Sequence, residues 1–115
     1  MKNFVQEGDV ITLAAPYTVV SGDGLLVGSI FGVATASAAS GDAVETAVTG
    51  VFDLAKTASQ AWTVGARIYW DDATKLCTTV AAAGANKLIG VALVAVGSGA
   101  GETIGRVRLS ANFTI

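Results

Sequence analysis

The residues able to do chemistry are few, and their spacing limits them further. The chain holds nine Asp and Glu, seven Lys and Arg, one Cys and no His. Without His, neither a Ser-His-Asp nor a Cys-His centre can be built, and no His-ligated metal site either. Asp71-Asp72 is the one adjacent acidic pair. Neighbours on an extended chain point to opposite faces, so these carboxyls do not form a general acid/base dyad. No D-x-D-x-D-G calcium pattern surrounds them, and a polar hairpin loop after Trp70 is the reading their setting supports. A hydrolase built on Asp53 and Asp71 would rest on the presence of acids alone. Gly97-Ser98-Gly99-Ala100-Gly101 lacks the G-x-G-x-x-G and G-K-[ST] spacings that cradle phosphate, and Ser98 has no base. It reads as a flexible connection. Cys77, in a Val/Thr-rich stretch, reads as a small buried hydrophobe.

What remains is recognition rather than catalysis. Arg106 and Arg108 stand two apart and therefore share one face of a strand, which Arg67 could join. Such a patch suits carboxylates or phosphates of a partner, the plainer reading being solvated positions that balance Asp and Glu. Phe4 and Val5 form an apolar pair among Lys2, Asn3, Gln6 and Glu7. Residues 1–8 are then either a docking arm that orders on binding or a first edge strand. No catalytic residue, cofactor or metal site is expected.

The elements that must position these residues follow from composition and periodicity. A chain of 115 residues and 11.5 kDa is expected to be a single β domain over 1–115. Hydrophobic residues make up 52% and charged residues only 14%, against a usual ~25% charged, which excludes a disordered chain. The net charge of −2 and pI near 4.8 exclude a typical nucleic-acid binder. The longest charge-free run, Gly24 to Gly41, is diluted by four glycines and several Ser and Thr, unlike a membrane span. Glu7 and Asp9 stand where a signal peptide needs an apolar core. With a single Cys, the expectation is a soluble chain made in a reducing cytoplasm.

Most apolar segments alternate with period two. From Val44 to Leu54 the even positions are Val44, Thr46, Val48, Gly50, Phe52 and Leu54, which predicts a half-buried strand bent at Gly50. Asp9–Ala14, Leu25–Ala34, Arg67–Asp71, Lys75–Val80, Leu88–Val96 and the stretch around Arg106–Leu109 are further strand candidates. Ser21-Gly22-Asp23-Gly24, Asp71–Lys75, Ala83–Lys87 and Gly97–Glu102 supply turns. Ala55, Lys56, Ala58 and Gln60 permit one short helical turn near 54–61. The expected fold is all-β, a small antiparallel β-barrel or sandwich. The apolar excess over one face of a small sheet predicts burial between subunits, hence a homo-oligomer.

In this order the turns and strands resemble the bacteriophage and prophage capsid cement, or head decoration, proteins. That family was long catalogued as a domain of unknown function, some members with a recombinase-like label. The resemblance lies in Gly8-Asp9-Val10-Ile11, Val20-Ser21-Gly22-Asp23 and Gly32-Val33-Ala34. It continues through Gly50-Val51-Phe52-Asp53-Leu54-Ala55-Lys56 and Gly65-Ala66-Arg67-Ile68-Tyr69-Trp70-Asp71 to Ile89-Gly90-Val91-Ala92 and Val107-Arg108-Leu109. It spans nearly the whole chain. Members often carry Asp where Ala66 stands.

The resemblance implies a non-enzymatic virion protein, made in the bacterial host cytoplasm, that decorates and stabilises the outside of an expanded phage capsid. Its implied partner is the major capsid protein, whose subunits it would bridge, often as a homotrimer, with no nucleic acid or membrane partner. A recombinase core needs a P-loop and a parallel α/β sheet, and this chain has neither signature. Two alternatives stand beside this reading. One is a small β-barrel that binds single-stranded nucleic acid through stacked aromatics and a basic groove. The other is a different phage structural component, such as a tail or fibre part.

Overall fold

The alternation from Val44 to Leu54 holds, but the chain that carries it belongs to two different sheets. A computed structural model describes residues 10–109, among which nine strands form two antiparallel sheets. The first sheet contains β1 (Val10–Ala14), β2 (Gly24–Val27), β3 (Ile30–Ala34) and β4 (Ala43–Ala47), in the order β1-β4-β3-β2. The second contains β5 (Val51–Ala55), β6 (Arg67–Asp71), β7 (Leu76–Thr78), β8 (Lys87–Ala92) and β9 (Ile104–Leu109), in the order β5-β9-β8-β6-β7. Gly50 makes the crossing. Its φ of +117° lies where side chains with a Cβ are strained, so the bend expected there becomes a break between β4 and β5. The even set still faces inward, with Val44, Thr46, Val48 and Leu54 buried and Phe52 half-buried.

Two expectations are corrected. The stretch Leu25–Ala34 is a hairpin rather than one strand, closed where Val27 pairs with Ile30 across Gly28-Ser29. Gly28 takes φ +58° while Ser29 does not, the pattern of a two-residue turn with Gly first. There is also no helical turn at 54–61. Lys56 donates its amide to Thr103 O (2.7 Å), Thr57 donates to Cys77 O (2.9 Å), and Ser59 has φ +59°. Those amides are committed to other strands, so intrachain helical bonds cannot form there. The one helical turn among the described residues is a 3-10 turn at Ala82–Gly84.

The five-stranded sheet curls until its two edges touch. Lys56, just past β5, bridges in parallel to Cys77 of β7, and the sheet becomes a half-barrel. Its interior holds Leu54, Trp62, Ile68, Trp70, Cys77, Ile89, Ala92, Val107 and Leu109. Phe31 and Val33 of β3 reach into the same cluster, Phe31 lying 5.0 Å from the Trp70 ring at 52°. This tilted aromatic contact fastens the two sheets to each other. Trp62 closes one end, held by an isolated bridge to Val96 and by its indole N–H donating to Gln60 Oε1 at 2.9 Å. The other face of the first sheet has a smaller core of Ala15, Val19, Leu25, Ala34 and Val44.

Candidate interaction surface

Because β9 alternates strictly, burying Gly105, Val107 and Leu109 leaves Ile104, Arg106 and Arg108 outside. Arg106 and Arg108 thus share one face, as their spacing predicts, but their circumstances differ. Arg106 lies directly across from Asp53 on β5. Its Nε donates to Asp53 Oδ1 at 2.9 Å and its Nη2 to Oδ2 at 3.2 Å, a two-pronged pair at the surface. That hydrogen bonding holds the Asp53 carboxyl below its ordinary range, slightly opposed by desolvation. Arg106 is therefore already occupied.

Arg108 is not. It pairs in register with Val51 on one side and Val91 on the other, and Val91 pairs in turn with Arg67. Residues opposite one another across a sheet project from the same face, so Arg67, Val91, Arg108 and Val51 make one outward row. Two strand spacings, roughly 10 Å, separate the two arginines. Neither makes an ion pair among the described residues. Beside the row, Val94, Val96 and Ile104 flank the Arg106–Asp53 pair around a shallow depression of about 250 Å³. Val51, Val94 and Ile104 are each more than two-fifths exposed, unusual company for free cations. Phe4 and Val5 lie outside the described residues.

The remaining candidates have structural work. Asp71 caps its own hairpin, accepting from the Ala73 and Thr74 amides. Asp72 accepts from Tyr17 Oη (2.8 Å) and Trp70 Nε1 (2.9 Å), while Lys75 Nζ sits 3.8 Å from it. The two acids therefore engage different partners and form no dyad. Tyr17 also accepts from the Leu26 amide at 3.2 Å, tying the first sheet to the β6–β7 loop. Burial, then the bond to Asp72, pushes the Tyr17 hydroxyl well above the usual tyrosine range. Burial likewise pushes the Cys77 thiol up to about 12, as expected of a core hydrophobe. Glu102 accepts from the Gly97 amide across the glycine-rich loop, which is a connection between β8 and β9.

Lys56 was the residue least visible in the sequence. It is 1% exposed, with Nζ donating to Thr57 O (2.8 Å) and Glu102 O (3.2 Å) and standing 5.6 Å from the Trp62 ring centroid. The even parity of Val44 to Leu54 runs on to residue 56, so alternation alone assigns it inward. Among the described residues, no group of three or more Cys, Asp or Glu could hold a metal ion. Nor is any helix there long and apolar enough to cross a membrane.

The sequence that carries this fold matches a known protein family. The family model described as Phage cement protein covers residues 5–109. The chain belongs to the phage cement protein family. No curated protein and no solved structure matches it. Membership makes it a capsid-associated structural protein of the phage particle, as the order of its motifs implied.

Proposed function

We propose that this protein decorates the outer surface of an expanded phage head and stabilises it by bridging neighbouring subunits of the major capsid protein. The observation that carries the reading is family membership over nearly the whole chain. The outward face of the five-stranded sheet supports it, since Arg67 and Arg108 stand among exposed Val51 and Ile104 with no ion pair among the described residues. A ligand that binds only the mature lattice stabilises it by mass action, and contacts to several subunits at once add avidity. In this reading the protein is made in the host cytoplasm, acts as a homotrimer and performs no catalysis. Arg106, Arg108, Phe4 and Val5 belong to its contact surface.

The single-stranded nucleic-acid alternative has little to stand on. Its stacking platform would need accessible rings, yet Trp62, Trp70 and Phe31 are buried in the core and Tyr17, Phe52 and Tyr69 are half-buried. The test is light scattering behind size exclusion, then mixing with expanded, undecorated heads and pelleting. A trimer that pellets at a fixed ratio to the major capsid protein is the expected result. Protein left in the supernatant at every ratio would refute the reading.

A further inference from the structure

The charges of this protein are divided between its two sheets. Residues 10–50, which build the four-stranded sheet, hold Asp23, Asp42 and Glu45 and not one Lys or Arg. Residues 51–109 hold six Lys and Arg against four acids. Of those six, Lys56 is buried on carbonyls, Lys75 lies against Asp72 and Arg106 is bound to Asp53. Lys87, opposite Trp70 on β8, Arg67 and Arg108 are left, and the two arginines stand in the row with Val91 and Val51. Asp53, the acid beside that row, is spent on Arg106, so no carboxylate among the described residues pairs with them.

We propose that the row Arg67–Val91–Arg108–Val51 is the seat of an acidic, aliphatic-flanked segment of a capsid subunit, with the four-stranded sheet turned away from the shell. This rests on the capsid reading above and adds the partner's chemistry and the orientation. Two guanidiniums roughly 10 Å apart, with Val91 between them, fit two carboxylates separated by an apolar side chain. Two helical turns span that distance and keep both carboxylates on one helix face. The depression bordered by Val94, Val96 and Ile104 takes a further apolar side chain of the same segment. Carboxylate is the anion we assign because Arg106, on the same face, already holds one in two prongs. The sheet without cations would be repelled by the same acidic surface, which fixes which side docks.

The test measures binding to expanded, undecorated heads by pelleting, for the wild type and for Arg67→Gln/Arg108→Gln. A second variant, Ser37→Glu/Ser40→Glu, makes the same change in net charge on exposed loop residues of the other sheet. Melting temperature and elution volume report that each variant is folded. The expected result is a loss of about tenfold in affinity for the arginine variant and little change for the serine variant. Raising salt should weaken the wild type more than the arginine variant. If wild type and arginine variant bind equally, the proposed seat is wrong while the capsid role stands. If the wild type does not pellet at all, the capsid role itself fails. Two further outcomes overturn the proposal. One is arginine-dependent binding to single-stranded DNA that outcompetes the heads. The other is self-association off the heads that disappears in the arginine variant, which would make a second copy the occupant.

Discussion

At the residue scale, Tyr17 and Cys77 are titratable groups held by their surroundings in the neutral form. For Tyr17 the cause is burial first and the bond to Asp72 second. The folded state therefore keeps the phenolic proton after the unfolded chain, at its ordinary 10.0, has lost it. Stability is full below pH ~10 and falls as pH rises beyond it. Tyr17→Phe removes the bonds to Asp72 and Leu26, so it should cost about 1 kcal/mol at neutral pH. The same variant should flatten the alkaline fall, which urea midpoints from pH 7 to pH 11 would show. An equally steep alkaline limb in the variant would mean that another group is responsible. Cys77 gives a simpler test. With its thiol raised to about 12 and buried, it should resist a thiol reagent at pH 8 until the protein unfolds. Labelling of the native protein at the rate of a free thiol would contradict the core placement.

At the scale of elements, Trp62 packs tightly onto β9. A Cβ at Gly105 would come within 2.1 Å of the Trp62 ring, although its backbone φ is ordinary. Gly105→Ala should thus destabilise by about 1–3 kcal/mol through overpacking alone, read as a lower urea midpoint with altered tryptophan fluorescence. An unchanged midpoint would show that Trp62 is not seated there. This contact joins residues 43 positions apart and left no trace in local pattern. Period-two alternation was legible wherever one face is buried, as in β4, β5 and β9. What it cannot show is a change of sheet, because Gly50 breaks the ladder without breaking parity. The β2–β3 hairpin was hidden by continuity of a different kind. Leu25 to Ala34 is apolar throughout, and only Gly28-Ser29 marks the reversal. The supposed helical turn near 54–61 failed because helix-permitting residues there are taken by strands distant in sequence.

The same limits govern the candidate surface. Spacing put Arg106 and Arg108 on one face, but only register reveals that Asp53 occupies the first and that Arg67 aligns with the second. Lys56 shows the converse, a cation that is buried because backbone carbonyls and the Trp62 ring receive it.

On the scale of the whole molecule, the half-barrel and the four-stranded sheet are joined by Phe31 on Trp70 and by Tyr17 on Asp72. This gives a molecule with an acidic sheet and a face of free arginines on opposite sheets, carrying no assembled catalytic group among its described residues. In the proposed role such a body would act by binding many identical places on a shell. Cementing then has a direct physical reading, since each bound copy lowers the free energy of the intact lattice relative to its dissociated subunits. The decisive measurement is the temperature at which expanded heads lacking this protein release their DNA, recorded as purified protein is added back. The account predicts that the release temperature climbs with occupancy and levels off when the sites are full. Saturated binding with no change in release temperature would contradict it.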